Sequence, residues 1–433
     1  MNNTILDQHD FQSYNNVQIH ELLLRDRPRV AAYHDAIMNN KRLFENKIVL
    51  DVGSGTGILS MFAAKAGAKL VYAVDACETI CYLAEELIKC NRLQDKIQII
   101  NKRIEDIEKF DENIDIIISD WMGFYLFHES ILESVIYARD KFLSLSSRND
   151  DTTPDQNESI IIFPSHAYLY CAPFVDQNIR IELNSMWKNY FDLNMSSLIP
   201  HIKNSRLNEC IIETIEPSQL VHDAQLIQSI DLRTIRLNDL HTLRSFCEFE
   251  IDNTCIISGF CFWFDCYFSS NNNSSILRSI RLTTSPYSSK THWKQTLVFL
   301  PEDIYPLKGH IVPVHIKLKQ SSQTRQKYQL SIVLKKIKEG MRTTTNIDDV
   351  NQDSVLHKRQ RRRSSTISSD KRTHSQKKTN ETPSGDSTSS NSDDDDDNNN
   401  GSNEHSIPCS CDRDRCKLVK MILEKYTEEN LVE

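Results

Sequence analysis

Three of the chain's ten glycines, Gly53, Gly55 and Gly57, fall in one short segment, VLDVGSGTGIL. A turn from a strand into a helix needs glycine where φ is positive and where the backbone must approach a ligand closely. Asp75 ends the next apolar segment, at about the offset from which an acidic side chain binds the hydroxyls of a ribose. We therefore expect the loop to bind a ligand that contains a nucleoside.

Two ligand classes fit such a loop. A dinucleotide site wants a further glycine at position 58, where this chain has Ile58. Asp51 precedes the glycines, poorly placed for a pyrophosphate and well placed for an ammonium group. A ligand with an amino-acid end and a ribose end fits better. S-adenosylmethionine is such a ligand, and the order of strands and helices around the loop resembles that of the class I methyltransferases.

A pair of carboxylates, Asp120 and Glu129, lies further along, in the segment IISDWMGFYLFHESIL. Arginine stays protonated in proteins, with a pKa above about 12. Two carboxylates can accept its planar fork of donors, draw the positive charge away from one nitrogen and aim that nitrogen at an acceptor carbon. Glu129 taken alone could instead be an acidic residue at a helix start that interacts with the helix dipole.

The surrounding pattern predicts the elements that position these residues. Residues 1–40 predict two helices, in which Pro28 suits an early helical position. Residues 41–150 alternate apolar strands with helices, which is typical of a parallel sheet covered by helices. Residues 151–338 contain repeated short strands, with a more helical stretch near 187–200, and predict a mostly β domain. The fold class is therefore α/β, followed by the β domain.

The remaining residues differ in composition. Residues 339–408 are low in complexity and too poor in apolar side chains to order themselves, and residues 409–433 could form one short helix. The run KRQRRR within 339–408 is either a nuclear localisation signal or a solvated charge run. His405, Cys409, Cys411 and Cys416 have no recognised zinc spacing, so we expect no metal.

Composition limits the function classes. The formal net charge of −9 argues against direct binding of nucleic acid and favours cationic substrates. The first residues lack the features of a secretory signal, and no apolar run reaches the roughly 18 residues that span a bilayer. Most of the twelve cysteines are scattered among apolar neighbours, as reduced core residues are. We expect a protein of the cytoplasm and the nucleus.

Four motifs, in order, resemble those of the protein arginine methyltransferases. They are the N-terminal DFQSYNNVQIHELLLRDRPRVAAY, the glycine loop, the carboxylate segment and SPYSSKTHWKQTLVFLPE. The resemblance covers roughly residues 10–336. It implies a Rossmann-like cofactor domain, a β-barrel with a helical dimerisation arm near 187–200, and a homodimer. It also implies an enzyme that transfers methyl groups from S-adenosylmethionine to arginines of Arg/Gly-rich segments or histone tails, giving mono- and asymmetric dimethylarginine.

The resemblance also implies roles for single residues. Arg29 would bind the carboxylate of the cofactor, and Asp51 and Gly53 would lie at its methionine end. Asp75 would bind its ribose, and Ile104 and Glu105 would bind its adenine. His20 would also contact the cofactor. Phe11 and Tyr14 would lie on a lid helix over the arginine pocket. His292 would pair with Asp26 and, with Asp120 and Glu129, complete the catalytic set.

Departures from the family pattern leave an alternative open. Asp120 stands where glutamate is usual and is one methylene shorter, and Asp75 shortens the usual ribose-binding glutamate in the same way. Leu23 and Ile131 replace the two methionines usual in enzymes that make asymmetric dimethylarginine. A displacement of about 1 Å in a reacting group can cost on the order of 100-fold in rate. The alternative is thus a weakly active regulatory or scaffold homologue that keeps the fold and the cofactor site.

Overall fold

The computed structural model describes residues 16–128, 130–143, 161–208, 210–269, 279–321 and 328–339. All of them belong to one compact unit. Phe11, Tyr14, Glu129, the run KRQRRR and the cysteines at 409, 411 and 416 lie outside these ranges. None of the helices within the ranges is long and apolar enough to cross a membrane.

Two helices open the described chain and meet at Asp26. α1 spans Val17–Arg25 and α2 spans Arg27–Met38, with Pro28 in its first turn. The Asp26 carboxylate accepts a hydrogen bond from the Arg29 N–H (3.0 Å) and so caps α2. A single further turn, α3, covers Lys41–Phe44.

A parallel sheet of five strands follows, with the order β3-β2-β1-β4-β5. Its strands are β1 (Ile48–Val52), β2 (Leu70–Asp75), β3 (Ile97–Asn101), β4 (Ile116–Ile118) and β5 (Ile161–Phe163). Its helices are α4 (Ile58–Lys65), α5 (Glu78–Cys90) and α6 (Leu132–Ala138), which a π-helical turn, Arg139–Leu143, extends. β1 is wholly buried, as the unbroken apolar run IVL of a central parallel strand requires. The sheet reverses its order beside β1, and ligands of such sheets bind at that point.

The fifth strand corrects the expected domain boundary. Ile161–Phe163 was expected in the β domain, but it pairs in parallel with β4, Ile116 opposite Ile161. Its apolar run IIF does not alternate, which suits a strand covered on both faces. The parallel sheet therefore continues beyond residue 151, where the sequence predicts the start of the β domain.

The later strands form two antiparallel sheets. The six-stranded sheet consists of β6 (His166–Phe174), β7 (Ile211–Glu213), β8 (Gln225–Asp231), β10 (Ile257–Phe268), β11 (Ile280–Thr283) and β12 (Gln295–Ile304). Its strand order is β7-β12-β10-β6-β8, and β11 pairs with β10. In the four-stranded sheet the strands are β9 (Thr242–Glu250), β13 (His310–Gln320), β14 (Tyr328–Leu334) and β15 (Lys338–Glu339). Two helices, α7 (Gln177–Asn184) and α8 (Ile199–Asn208), lie between β6 and β7.

One apolar core joins the parallel and antiparallel parts. Phe268 at the end of β10 packs edge-on against Tyr33 of α2 (4.8 Å between ring centroids) and against Phe163 of β5 (5.9 Å). Phe44 packs in turn on Phe163 (5.7 Å). The α/β sheet followed by an antiparallel domain confirms the predicted fold class.

Candidate active site

The glycine loop adopts the backbone that its composition predicts. Gly53, Gly55 and Gly57 have φ of +74°, +54° and +77°, in the left-handed region that favours glycine. A Cβ on Gly53 would lie 2.6 Å from Cδ1 of Ile131, and one on Gly55 would lie 3.4 Å from the ring of His20. The loop therefore leaves room beside Ile131 and His20 only because Gly53 and Gly55 carry no side chain.

Seven of the predicted site residues line one cavity above this loop: His20, Arg29, Gly53, Asp75, Ile104, Glu105 and Asp120. Leu23 and Ile131 line it as well. These residues come from α1, α2, the ends of four strands or the segments just after them, and the start of α6. The cavity thus lies at the carboxyl ends of β1, β2, β3 and β4, beside the point where the strand order reverses.

Asp75 and Glu105 present oriented carboxylates to the cavity. The Gly55 N–H donates to Asp75 Oδ2 (2.8 Å) and the Cys77 N–H donates to Oδ1 (2.9 Å), while burial raises the pKa of Asp75. Ser134 Oγ donates to Glu105 Oε1 (2.6 Å). Two carboxylates fixed along one wall suit the hydroxyl and amino donors of a nucleoside.

Asp51 lies beneath the loop instead of on the cavity wall. Its carboxylate is fully buried and accepts a hydrogen bond from Ser60 Oγ at Oδ2 (2.7 Å), while Oδ1 has no partner among the described residues. Burial raises the pKa of Asp51 to about 7. A cationic ligand that binds at the glycine loop would give this buried, unpartnered oxygen a partner.

Asp51 gives a pH-dependent prediction. The pKa of Asp51 is about 7 in the folded protein, against a reference value of 3.8. At a pH between these two values, the folded state therefore keeps a proton that the unfolded state has lost. The stability of the ligand-free protein should therefore fall as pH rises from about 4 to about 7 and level off above that. Asp51→Asn should remove this part of the fall. Urea unfolding of both proteins between pH 5 and 8 measures it, and parallel profiles would contradict the assignment.

Asp120 already binds a guanidinium group. Nη1 of Arg29 donates to Asp120 Oδ2 in a short contact, and Nη2 donates to the Leu23 carbonyl (2.8 Å). The hydroxyl of Tyr33 donates to the Ser119 carbonyl (2.8 Å) and lies 3.3 Å from Asp120 Oδ1. Asp120 was predicted to bind a substrate arginine and Arg29 a cofactor carboxylate, whereas here the two bind each other.

Tyr33 is a site residue that the sequence reasoning missed. It is fully buried, and burial raises its pKa well above the usual value, with Asp120 the next cause. It follows Arg29 by four residues on α2, so both side chains lie on one face of the helix. This spacing was the available signal.

The segment between Asp120 and Ile131 folds into a hairpin. Gly123 bridges Leu126, and a Cβ on Gly123 would lie 1.5 Å from the His128 carbonyl oxygen and 3.2 Å from the Ser130 nitrogen. Tyr125 and Leu126 turn the hairpin with φ of +39° and +74°. His128 and Ser130, the residues before and after Glu129, therefore lie close to Gly123, three residues after Asp120. Strained backbone of this kind is common at functional sites.

The antiparallel domain holds the hairpin and α2 in place. The indole N–H of Trp293 donates to the Met122 carbonyl (3.2 Å), and the hydroxyl of Tyr125 donates to the Tyr328 carbonyl (2.7 Å). His292 has the predicted contact with Asp26: its Nδ1 lies 2.6 Å from Oδ2, and its backbone N–H donates to the same oxygen (2.9 Å). Burial acts against ionisation of Asp26, but the bonds to His292 keep its pKa below the usual value.

Comparison with known proteins agrees with this geometry. The model of the arginine methyltransferase oligomerization subdomain matches residues 165–338, and that of the ribosomal protein L11 methyltransferase matches residues 36–127. A probable protein arginine N-methyltransferase 6 of Arabidopsis thaliana is 35% identical over 345 residues, covering 73% of this chain and 76% of that protein. The chain belongs to the protein arginine methyltransferase family.

Other relatives agree with this assignment. The protein arginine N-methyltransferase 1 of Saccharomyces cerevisiae is 36% identical over 298 residues, covering 69% of this chain and 79% of that protein. The Trypanosoma brucei PRMT1 enzyme-prozyme heterotetrameric complex with AdoHcy has a TM-score of 0.63 at 33% identity, covering 74% of this chain and 94% of that one. The predicted family, the activity as an S-adenosylmethionine-dependent methyltransferase and the cofactor are confirmed.

Gly53 offers a test of how the cavity is shaped. In Gly53→Ala the added methyl group should push the end of Ile131 into the cavity and weaken binding of S-adenosylhomocysteine by about tenfold or more, equivalent to about 1.4 kcal/mol. Gly309→Ala is the matched control because Gly309 has φ of +81° and nothing within 4 Å of a Cβ. Both variants should lose about 1 kcal/mol of stability from backbone strain. Calorimetric titration that finds equal affinities in the two variants would contradict this account.

Proposed function

We propose that this chain transfers methyl groups to guanidinium nitrogens of protein arginines, giving mono- and asymmetric dimethylarginine. The observation that carries the proposal is the position of Asp120 on the wall of the cavity that the glycine loop and Asp75 also line. A carboxylate on this wall can accept hydrogen bonds from the donors of an arginine side chain, as Asp120 accepts one from Arg29. The proposed substrates are Arg/Gly-rich segments and histone tails.

We assign the cofactor contacts by the chemistry of the cavity wall. Arg29 is placed for the carboxylate, Asp75 for the ribose, and Glu105 with the Ile104 backbone for the adenine. Asp51 lies below the amino-acid end, where an ammonium would meet its unpartnered oxygen. S-adenosylmethionine would supply the methyl group on a sulfonium, and its sulfur would leave as a neutral thioether when a nitrogen lone pair attacks the methyl carbon in line.

The protein's contribution to transfer is orientation. Asp120 and Glu129 accept the donors of the substrate guanidinium, leaving one nitrogen directed at the methyl carbon. A carbon–nitrogen bond forms as the carbon–sulfur bond breaks, and the guanidinium then loses one proton. We propose Glu129 as the first acceptor of that proton. His292 and Asp26 do not line the cavity, so we propose a positioning role for this pair, through the capping of α2 by Asp26 behind Arg29.

The product identifies the reaction. The wild-type chain should convert an Arg/Gly-rich peptide into mono- and then asymmetric dimethylarginine, which fragmentation in a mass spectrometer distinguishes from the symmetric form. A peptide with lysine in place of each arginine is the control. Methylated lysine, or symmetric dimethylarginine, would overturn the proposal. Asymmetric product suits the two apolar residues at the cavity, Leu23 and Ile131, in place of methionines.

A second candidate is the regulatory homologue that keeps the cofactor site. Asp120 bound to Arg29 is the observation that favours it, because this bond occupies the carboxylate that a substrate needs. The neighbouring trypanosome structure is itself an enzyme-prozyme complex. Tight binding of S-adenosylhomocysteine together with no turnover on any arginine peptide of an array would support this candidate against the first.

We also propose a homodimer, formed through the arm made by residues 177–208. Its apolar side chains are unusually exposed: Phe191 is 84% exposed, and Ile181 and Leu193 are each 63% exposed. Exposed apolar clusters of this kind mark protein interfaces. We place the protein in the cytoplasm and nucleus, with the basic run KRQRRR as the motivating feature.

A substitution of an exposed apolar residue in the arm should change the oligomeric state of the protein. Phe191→Asn should shift the protein from dimer to monomer at micromolar concentration, since a buried aromatic side chain at an interface contributes on the order of 2 kcal/mol or more. Asparagine tolerates the left-handed φ of +50° at this position. Tyr305→Asn, which changes a side chain that is 61% exposed elsewhere, is the control. Light scattering after gel filtration measures the mass, and an unchanged dimer in Phe191→Asn would exclude this residue from the interface.

A further inference from the structure

The hydroxyl of Tyr33 lies among three acceptors of the segment that follows β4. It is 2.8 Å from the Ser119 carbonyl oxygen, 3.3 Å from Asp120 Oδ1 and 3.8 Å from the sulfur of Met122. A hydroxyl carries one proton and gives a full hydrogen bond to one acceptor at a time. The Ser119 carbonyl is the nearest of the three and receives this proton, and Asp120 is the nearest alternative acceptor.

Packing fixes both the ring of Tyr33 and the backbone of Ser119. Tyr33 is fully buried, and its ring packs edge-on against that of Phe268 (4.8 Å between centroids). Ser119 is fully buried as well: its N–H donates to the Phe163 carbonyl (3.1 Å) and its Oγ donates to the Val52 carbonyl (2.8 Å). A change of acceptor therefore requires a rotation of the O–H bond, while the tyrosine oxygen stays in place.

Asp120 is the acceptor whose surroundings change when the cofactor binds. Among the described residues its side chain has two partners, Nη1 of Arg29 at Oδ2 and the hydroxyl of Tyr33 near Oδ1. The Asp120 side chain is 14% exposed, so water replaces a lost partner only in part. Since we assign Arg29 to the cofactor carboxylate, cofactor binding would take from Asp120 its charged partner and leave a mostly buried carboxylate short of donors.

The hydroxyl of Tyr33 stays protonated and remains a donor near neutral pH. Burial raises the pKa of Tyr33 well above its usual value, and the negative charge of Asp120 raises it further. Tyr33 is therefore not a base for the reaction, but it can donate a hydrogen bond. A bond to an ionised acceptor is roughly twice as strong as a bond to a neutral one. An Asp120 carboxylate without Arg29 is thus a better acceptor than the Ser119 carbonyl.

We propose that Tyr33 is a positioning residue whose hydroxyl turns from the Ser119 carbonyl to Asp120 Oδ1 when Arg29 binds the cofactor carboxylate. The hydroxyl then holds Oδ1 of Asp120, and Oδ2 is left open to the substrate guanidinium. Binding of the cofactor thereby prepares the carboxylate for the second substrate. The proposal rests on the proposed function in one respect, the assignment of Arg29 to the cofactor carboxylate.

Calorimetric titration of four proteins tests the proposal: wild type, Tyr33→Phe, Asp120→Ala and the double variant. Phenylalanine keeps the ring packed on Phe268 and removes only the hydroxyl. Tyr33→Phe should weaken binding of S-adenosylhomocysteine by about fivefold, equivalent to about 1 kcal/mol, because the bond lost in the complex is stronger than the bond lost in the free protein. Methylthioadenosine, which has no carboxylate, should bind Tyr33→Phe and wild type equally. In the Asp120→Ala background, Tyr33→Phe should change neither affinity, because the alternative acceptor is absent.

Kinetics add a measurement that mere support of the fold would not move. At saturating cofactor, Tyr33→Phe should lower kcat for an arginine peptide by about tenfold, because Asp120 is then less well positioned. In the Asp120→Ala background, the same substitution should leave kcat unchanged. Tyr72→Phe is the matched control: it removes the hydroxyl of another buried tyrosine, on β2, which does not line the cavity, and should change neither affinity nor kcat.

Three outcomes of the titrations would overturn the proposal. Equal losses for the two ligands in Tyr33→Phe would mean that the hydroxyl supports the cavity as a whole. A loss for S-adenosylhomocysteine that persists in the Asp120→Ala background would exclude Asp120 as the new acceptor. Unchanged affinities in Tyr33→Phe would leave the hydroxyl on the Ser119 carbonyl in both states. A wild type that methylates no arginine peptide would contradict the proposed function instead, while the titrations still decide the role of Tyr33.

Discussion

Glu129→Gln should reduce the rate of methyl transfer to an arginine peptide by about 10²–10³-fold, with little change in cofactor affinity. Removing one preorganised electrostatic partner of the reacting group costs about this much. Glutamine keeps the shape of the side chain but donates hydrogen bonds where a guanidinium also donates. The aimed nitrogen then loses both its direction and the nearby negative charge.

The helix that follows supplies a matched control for this variant. Glu133→Gln makes the same chemical change on α6, at a residue that does not line the cavity. Its rate should stay within about twofold of the wild type. Filter-binding of labelled methyl groups measures the rate, and calorimetric titration with S-adenosylhomocysteine measures the affinity. Transfer by Glu129→Gln at the wild-type rate would remove this residue from the catalytic set.

Arg29→Ala should weaken binding of S-adenosylhomocysteine by about 100-fold or more. The Arg29 side chain is 5% exposed, and losing one partner of a buried, hydrogen-bonded charge pair costs about 2–5 kcal/mol. The effect should be specific for the carboxylate of the ligand. Methylthioadenosine, which lacks the amino-acid part, should bind Arg29→Ala and wild type with nearly equal affinity, and this also shows that the variant is folded.

The bond between Arg29 and Asp120 adds a second expectation for the same ligands. If the ligand carboxylate and Asp120 compete for Arg29, Asp120→Asn should strengthen binding of S-adenosylhomocysteine and leave methylthioadenosine unchanged. Arg25→Ala, which removes an exposed arginine that binds Glu21, is the control. Equal losses for both ligands in Arg29→Ala would mean that Arg29 supports the cavity as a whole and does not bind the carboxylate.

Local patterns in the sequence are sufficient to predict many of the residues that line the cavity. Asp75 ends β2, and Gly53 and Glu105 lie shortly after β1 and β3, in an order that follows from the alternation of strands and helices. Since parallel strands carry their ligand sites at one edge, residues far apart in sequence could be assigned to the same cavity. The contact between His292 and Asp26 was expected from the family resemblance, because neither spacing nor composition relates residues so distant.

Other features depended on packing that no local pattern reports. The burial of Asp51 beneath the loop follows from the wholly buried β1, and the sequence does not predict that Asp51 is missing from the cavity wall. The bond between Arg29 and Asp120 joins residues 91 positions apart and requires α2 to pack at the end of β4. Ile161–Phe163 was assigned to the β domain because the polar segment before it resembles a boundary, whereas strand pairing alone decides its sheet.

Kinetics of a double-substitution cycle test most directly whether two carboxylates hold one guanidinium. The ratio kcat/KM for an arginine peptide is measured at saturating cofactor in wild type, Asp120→Asn, Glu129→Gln and the double variant. Each single change should lower it by about 10²–10³-fold. The double variant should be little worse than the poorer single variant, because a guanidinium released by one carboxylate is already misdirected. Independent, multiplicative losses, or a double variant that keeps most of the wild-type rate, would contradict a shared clamp.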